Sequence, residues 1–360
     1  MPDWSPDGRF IAYISMRGAD QSYGVLCIRD MESGTERDVQ SDTGPVAHPR
    51  WSPDGRYVFA RGYSQGRATL LRIDVQSGKS TLVLRESALN YAPSPFELAA
   101  DGKSFYYQPA SLKGFSNLGS PIVRHDMESG AETRIHPATN SWMAPWAPSP
   151  DGKSIAFRGA WGKRSFDETF DLNVISTSGG EPRVLLKASG VNPRSALAWT
   201  RDGRYVLFAK RLGPGAKVSL LRVPASGGEP ESLGLEMEAI GDLRVSPNGR
   251  QLAFIAGRPN NKLQVWIMEN FLPAKQSAAR EAGAEERPGE KSEASSRKSS
   301  EPSAAKAAGL TLRKLTEGGT TYGNSHPSPD GRYILMPWQN SMALLDVTTG
   351  EQREFGPNLD

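Results

Sequence analysis

Short apolar runs separated by polar turns follow one another along most of this chain. Each run comes after an Asp-Gly or Asn-Gly pair and a basic residue, and the position four residues after the Asp or Asn is always apolar. The residues at that position are Ile11, Val58, Phe105, Ile155, Val206, Leu252 and Ile334. The next two positions are also mostly apolar, so polar and apolar residues do not alternate strictly. This pattern predicts short strands that are packed on both faces.

The turn pairs recur at a nearly constant distance. They are Asp7-Gly8, Asp54-Gly55, Asp101-Gly102, Asp151-Gly152, Asp202-Gly203, Asn248-Gly249 and Asp330-Gly331, with spacings of 47, 47, 50, 51, 46 and 82 residues. A fixed period in the forties indicates a repeat architecture with one supersecondary unit in each repeat.

One repeat shows what the unit is. Residues 47–84 predict a strand, a Ser-Pro-Asp-Gly turn, a second strand, a loop, a third strand, a Gln-Ser-Gly-Lys turn and a fourth strand. Pro presets φ at the second turn position, and Gly accepts the positive φ required at the fourth. Four antiparallel strands in a meander form the blade of a β-propeller. The sequence therefore predicts an all-β protein with seven four-stranded antiparallel blades.

The blades are expected within a single domain that spans residues 1–360, at about 1–40, 45–85, 91–136, 142–187, 193–234, 240–316 and 321–356. The last spacing is long because residues 274–309 contain no Val, Ile, Leu, Met or aromatic residue. Such a segment cannot bury enough apolar surface to offset its ordering entropy, which predicts a disordered loop inserted in blade six. Removing these 36 residues from the spacing of 82 leaves 46, which fits the period.

Composition narrows the class of partner. The net charge is +3 and the basic residues are spread along the chain, so we expect no nucleic-acid binding by this domain. No apolar run is long enough for a membrane helix, and we expect a monomer without membrane insertion. Cys27 is the only cysteine, which excludes an internal disulfide and a cysteine-based metal cluster. No cofactor is expected.

The chain begins abruptly, because Met1 lies only three residues before Trp4 in the first predicted strand. We therefore expect either a piece of a longer protein or a wrongly assigned start. A signal peptide upstream would place the propeller in the periplasm or elsewhere outside the cytoplasm, and its absence would leave the protein in the cytoplasm. The sequence does not decide between these compartments.

Several repeats resemble those of the TolB-like propeller family, which are related to WD repeats. The resemblance rests on Trp-Ser-Pro-Asp-Gly-Arg at 4–9 and 51–56, Ser-Pro-Asp-Gly-Lys at 149–153, Ser-Pro-Asn-Gly-Arg at 246–250 and Ser-Pro-Asp-Gly-Arg at 328–332. It covers nearly the whole chain outside the insertion. It implies a protein- or ligand-binding scaffold, but the motif is a turn and not a site, so it is specific for the fold alone.

The candidate site is the mouth of the central channel. His48 and His326 precede the turn in the innermost strand, where they are either a metal site or general base, or structural histidines beside Pro49 and Pro327. We favour the structural interpretation. Trp142 and Trp146 enter blade four and are either a peptide-binding hot spot or core residues that plug the channel. Arg50, Phe96, Arg194 and Asp242 are weaker candidates for the same mouth.

These residues predict a non-catalytic scaffold or sensor module that binds a protein or peptide. The alternative is a propeller enzyme, a lyase or hydrolase, with a polar and metal-containing channel, for which Asp3, Glu97, Arg50 and Arg244 supply opposite charges. A peptidase is not expected, because an α/β-hydrolase carries its Gly-x-Ser-x-Gly nucleophile elbow at a strand-to-helix turn, and this sequence predicts no succession of strand, helix and strand.

A basic residue follows every turn pair. The set is Arg9, Arg56, Lys103, Lys153, Arg204, Arg250 and Arg332. It forms either a positive ring that binds an acidic partner or a set of ordinary ion pairs with the turn aspartates or neighbouring blades, and we favour the ion pairs.

Overall fold

The turn-and-strand repeat builds seven four-stranded sheets in the computed structural model of the chain. The model describes residues 2–15, 24–39, 44–64, 67–85, 96–109, 121–136, 146–160, 170–187, 197–211, 216–257, 263–272, 311–316, 325–338 and 341–356. Within these ranges the secondary structure is all β, which confirms the prediction of seven antiparallel blades. The predicted insertion at 274–309 lies outside the described residues.

The first four blades take their strands in chain order. Blade one contains β1 (Asp3–Trp4), β2 (Phe10–Ser15), β3 (Val25–Asp30) and β4 (Glu36–Val39). Blade two contains β5 (Val46–Trp51), β6 (Tyr57–Ser64), β7 (Arg67–Asp74) and β8 (Ser80–Arg85). Blade three contains β9 (Phe96–Leu98), β10 (Ser104–Tyr107), β11 (Ile122–Asp126) and β12 (Glu132–His136). Blade four contains β13 (Trp146–Pro148), β14 (Ser154–Ala160), β15 (Phe170–Ser176) and β16 (Arg183–Leu186).

The last three blades follow the same order. Blade five contains β17 (Leu197–Trp199), β18 (Tyr205–Arg211), β19 (Val218–Pro224) and β20 (Glu231–Met237). Blade six contains β21 (Ala239–Val245), β22 (Gln251–Gly257), β23 (Leu263–Glu269) and β24 (Thr311–Lys314). Blade seven contains β25 (His326–Pro327), β26 (Tyr333–Trp338), β27 (Ser341–Asp346) and β28 (Gln352–Phe355). In every blade the strands pair antiparallel with their chain neighbours, and the first strands of successive blades contact one another around the ring.

The first turn of each blade is held by a hydroxyl and a side-chain oxygen, which belongs to an aspartate in six blades and to Asn248 in blade six. In blade two the Ser52 hydroxyl donates to Asp54 Oδ1 at 2.5 Å and accepts the N–H of Tyr57 at 2.9 Å, while Asp54 Oδ1 also accepts the N–H of Arg56. Gly55 follows with φ of 70°, which a residue with a Cβ adopts only with strain. The hydrogen bonds from Ser52 and from the Arg56 N–H hold the pKa of Asp54 below its usual value. This chemistry explains why the motif repeats.

The core of the protein lies between blades. Seven clusters of buried apolar side chains each combine residues of two successive blades, and one of them joins blade seven to blade one. That closing cluster contains Trp4, Tyr13 and Phe355, and the Tyr13 and Phe355 rings meet edge to face at 5.9 Å. The ring is therefore closed by side-chain packing, with each blade built from its own four strands.

Hydrogen bonds across the blade interfaces repeat two arrangements. Trp4 Nε1 donates to the carbonyl of His326 at 2.9 Å, and Trp199 Nε1 donates to the equivalent carbonyl of Ala147 at 2.9 Å, each in the preceding blade around the ring. Arginines of the fourth strands reach the next blade, as Arg37 does when it donates to the Val75 carbonyl at 2.7 Å. These bonds fix the angle between neighbouring blades.

No helix within the described ranges has the length and apolar character needed to cross a membrane.

Candidate functional site

The innermost strands of the seven blades share one position, four residues before the Asp or Asn of each turn. Around the ring this position is occupied by Asp3, Arg50, Glu97, Ala147, Ala198, Arg244 and His326. The five polar side chains belong to blades one, two, three, six and seven, whereas blades four and five contribute alanines. The chemical groups therefore gather on one side of the channel.

Two β-bulges shape this side. The register of β5 against β6 shifts between Ala47 and Arg50, and that of β21 against β22 shifts between Gly241 and Arg244. The bulged residues His48 and Asp242 occupy equivalent places, with φ of 51° and 49°. A left-handed conformation is costly for a residue with a side chain, and such strain clusters at functional positions. The bulges set the direction of the two arginines that follow.

Arg50 lies between two carboxylates. Its Nε is 3.8 Å from Glu97 Oε2, and its charge lowers the pKa of Asp3 against the stronger opposing effect of burial. Burial dominates, so the pKa of Asp3 rises to about 6, although Asp3 Oδ2 accepts the N–H of Trp51 at 2.8 Å. Asp3 is thus an acid that titrates close to neutral pH.

A second pair lies in blade six. Arg244 Nε is 3.4 Å from Asp242 Oδ1, and Asp242 Oδ2 accepts the N–H and the hydroxyl of Ser325 in blade seven. Burial nevertheless raises the pKa of Asp242. The bulge therefore joins blade six to blade seven through the Asp242 carboxylate, which also forms an ion pair with Arg244.

The two channel histidines are held neutral. Burial is the main cause that lowers the pKa of His48 to about 4, and neighbouring positive charges, Arg50 and Arg61 among them, act in the same direction. Burial, followed by the charges of Arg244 and Arg50, lowers the pKa of His326 well below its ordinary value. At neutral pH both imidazoles can donate or accept a hydrogen bond but carry no charge.

His326 also lines a cavity of about 290 Å³ between blades six, seven and one. Its side chain is buried, and its Nε2 has no hydrogen-bond partner among the described residues. The other walls are Asp3, Trp4, Ser5, Pro6, Arg244, Val245, Pro247, Pro327 and Pro329. An apolar cavity with a few converging polar groups is the usual form of a small ligand site.

The remaining predicted site residues are placed differently. Phe96 is 3% exposed and packs between blades two and three, under the guanidinium of Arg61 at 5.6 Å from its ring centre. Trp146 is half-buried and packs against the apolar cluster between blades three and four. Trp142 and Arg194 lie outside the described residues. The structure thus brings together His48, Arg50, Asp242 and His326, and the role of all eight residues in binding stays a prediction.

Asp3, Glu97 and Arg244 were not among the residues predicted for the channel mouth, and were named only for the alternative enzyme. The sequence feature that would have identified them is their shared position, four residues before the Asp or Asn of the first turn of each blade. The bulges have only a weak signal, because His and Asp are enriched in the left-handed conformation but most of the described aspartates of this chain adopt other conformations.

The basic residues after the turns form ion pairs at one end of the propeller. Arg9, Arg56 and Arg332 pair with the aspartate that ends the third strand of their own blade, at 2.9 to 3.3 Å, and Arg204 pairs with its own turn residue Asp202. The predicted pairing with the turn aspartate is therefore found for Arg204, whereas the other three arginines pair with an aspartate of their own blade that was not predicted. Exposed pairs of this kind contribute little to stability.

No three His, Cys, Asp or Glu side chains come together as metal ligands within the described ranges. The channel part of the chain that is described therefore offers charged pairs and neutral imidazoles rather than a ligand set for a metal ion.

The comparisons with known proteins agree with this architecture. No family model matches the chain. The Tol-Pal system protein TolB of Francisella tularensis is 24% identical over 250 residues, which cover 68% of this chain and 54% of that protein. The chain thus spans about half the length of the curated relatives it matches first.

Two solved structures extend the comparison. TolB from Acinetobacter baumannii superposes with a TM-score of 0.53 at 14% identity, over 91% of this chain and 74% of that one. An oligogalacturonate lyase in complex with manganese superposes with a TM-score of 0.66 at 14% identity, over 98% and 86%. At such identities the likeness concerns the fold alone.

Fold and comparisons together define the class as a seven-bladed β-propeller with a polar channel. Among propellers, the chain is TolB-like in the sequence of its repeats.

Proposed function

We propose that this propeller is a non-catalytic module that binds a protein or peptide segment at the channel, where the bulged strands β5 and β21 present Arg50 and Arg244. The observation that carries the proposal is the gathering of opposite charges from four blades, and of the neutral His326 from a fifth, on one side of the channel. A polypeptide offers both charges and backbone hydrogen-bonding groups, so it can complement such a mixed surface. In this role the propeller acts as a monomer.

The TolB relatives support this proposal, since they are named as parts of a Tol-Pal system. Because the chain spans about half of their length, the partner of this chain need not be theirs. The proposal concerns the mode of binding and leaves the partner's identity to experiment.

The test is selection of peptides from a random displayed library on the immobilised protein, followed by calorimetry of the enriched peptides. Arg50→Gln removes the charge of a channel residue that is 11% exposed, and Arg56→Gln is the matched control on the turn face, where the side chain is 67% exposed. We expect Arg50→Gln to weaken binding at least about tenfold, because a lost charged hydrogen bond costs roughly 1.5 kcal/mol or more. Equal binding by both variants, or enrichment of no peptide, would contradict the proposal.

A second candidate function is a lyase acting on an acidic sugar. It is favoured by the fold shared with the oligogalacturonate lyase and by the perturbed pKa values of Asp3, Asp242 and His326 in one channel. The described residues hold no metal ligand set, so we rank it second. Incubation with polygalacturonate and manganese, followed by ultraviolet absorbance of unsaturated products, tests it. Turnover that is lost in Asp3→Asn would replace the binding proposal by the enzyme.

A further inference from the structure

The cavity between blades six, seven and one has only three polar side chains that are not committed to a turn: Asp3, Arg244 and His326. Its other walls include the indole of Trp4 and four prolines. Trp4 uses its own N–H for the carbonyl of His326, and Ser5 uses its hydroxyl for Asp7 Oδ1 at 2.5 Å. A ligand therefore meets an apolar wall and one polar corner.

The polar side of the cavity contains hydrogen-bond donors that have no acceptor among the described residues. His326 is 9% exposed, and its Nε2 has no partner in the described part of the chain. An unsatisfied buried polar atom is expensive, so a group that hydrogen-bonds to it gains affinity. Arg244 Nε lies 3.4 Å from Asp242 Oδ1 in an ion pair but has no hydrogen-bond partner among the described residues, and the Arg244 side chain is 35% exposed. No hydrogen bond of its terminal nitrogens is found within the described ranges.

The carboxylates near the cavity do not act as the acceptor for these donors. Asp242 is bound by Arg244 Nε and by Ser325, and Glu97 lies beside Arg50. Asp3 also lines the cavity, from blade one, but its Oδ2 accepts the N–H of Trp51. Arg244 and His326 thus line the cavity from blades six and seven, and within the described ranges no hydrogen bond or ion pair joins either side chain to Asp3.

We propose that this cavity binds a carboxylate group, with the Arg244 guanidinium and the His326 Nε2–H as its donors and with Trp4 and the prolines holding the apolar body of the ligand. Arginine forms charged hydrogen bonds to carboxylates in a fixed fork, and the carboxylate selects the imidazole tautomer that carries hydrogen on Nε2. The group comes either from a free small organic acid or from an acidic side chain of a bound peptide. The peptide source rests on the proposed function.

Asp3 sets the strength of this site. A carboxylate in the cavity adds a negative charge beside the carboxylate of Asp3, and like charges disfavour each other. Removal of the Asp3 charge therefore strengthens binding, whereas removal of the Arg244 charge weakens it. Opposite effects of two neutralising substitutions distinguish a bound anion from a general loss of structure.

The experiment follows the histidine ring signals by proton–carbon NMR while hexanoate is added at constant ionic strength, with the His326 signal assigned from His326→Gln. We expect a saturable shift of that signal. Arg244→Gln should bind at least about tenfold more weakly, and Asp3→Asn about fivefold more tightly. Arg250→Gln, on the turn face, is the matched control and should leave the affinity unchanged.

Two peptide probes identify the source of the carboxylate. An acetylated and amidated Ala-Glu-Ala carries its only charge on the Glu side chain, and Ala-Gln-Ala is its neutral counterpart. Binding of hexanoate alone assigns the site to free acids, and binding of both hexanoate and Ala-Glu-Ala assigns it to acidic side chains as well.

The proposal is overturned if neither probe shifts the His326 signal, if chloride shifts it equally, or if Arg244→Gln binds as the unmodified protein does. If Arg244→Gln does not fold, Asp3→Asn decides, and unchanged or weaker binding by Asp3→Asn overturns the proposal. Hexanoate binding without any selected peptide would contradict the proposed function and leave the carboxylate site standing.

Discussion

Replacement of Asp3 by Asn should stabilise the propeller at neutral and alkaline pH. Burial raises the pKa of Asp3 from 3.8 to about 6, so the ionised carboxylate is less favourable in the folded chain than in the unfolded one. A difference of about two pKa values corresponds to up to about 3 kcal/mol of unfolding free energy at pH 8. Asn keeps the acceptor for the Trp51 N–H and removes the charge.

The dependence on pH has a defined sign. A carboxyl with a raised folded-state pKa costs stability above about pH 6, and the cost disappears as pH falls through 6 toward 4, where the group is protonated in both states. The free energy of unfolding of Asp3→Asn should therefore exceed that of the unmodified protein most at pH 8. The two free energies should become equal near pH 4. The histidines of the channel affect both proteins equally and cancel in the difference.

The assay is urea unfolding followed by tryptophan fluorescence at pH 8, 7, 6, 5 and 4. Asp54→Asn is the matched control, because hydrogen bonds from the Ser52 hydroxyl and the Arg56 N–H lower the pKa of Asp54. Asp54→Asn should destabilise at neutral pH, and its effect should fade only as pH falls through the lowered pKa. An Asp3→Asn variant that is no more stable at pH 8, or a stability difference that is the same at pH 8 and pH 5, would refute the reasoning.

Two further predictions concern the contacts between blades. Gly331 and Gly350 have φ of 77° and 75°, but a Cβ on Gly331 would lie 2.6 Å from the Asn248 side-chain nitrogen, whereas a Cβ on Gly350 would meet no atom within 4 Å. In thermal unfolding, Gly350→Ala should therefore cost about 1 kcal/mol and Gly331→Ala clearly more, and equal costs would contradict this. Trp4→Phe removes the hydrogen bond to the His326 carbonyl at the closing interface and should cost about 1 kcal/mol in urea unfolding, and no loss would show that the bond contributes nothing to closure.

The blades could be predicted because their determinants are local. The hydrogen bonds of Ser52 and Asp54 and the positive φ of Gly55 all belong to one turn of four residues. The sequence of a single repeat is therefore enough to predict the turn. The composition of residues 274–309 likewise predicts an insertion between the third and fourth strands of blade six, and this stays a prediction because these residues lie outside the described ranges. Neither feature depends on how the ring closes.

The site could be predicted only in part, because its determinants are not local. The partner of Trp4 Nε1 is 322 residues away, and the partner of Asp242 is 83 residues away. Whether His48 and Asp242 adopt a left-handed conformation depends on the neighbouring blades that bound the channel. These contacts form only when all seven blades are assembled. The sequence of one repeat therefore does not predict them.

The contrast between local turn residues and non-local site residues indicates where a binding function can lie in a repeat fold. The turn residues recur because each must solve the same backbone problem, so none of them distinguishes one blade from another. The inner-strand position before the turn faces the channel and has no such constraint, and it differs in charge from blade to blade. Its polar members converge with the bulges and the cavity on one side of the ring, whereas blades four and five contribute alanines there. The residues that depart from the repeat, rather than those that form it, are therefore the place to look for binding.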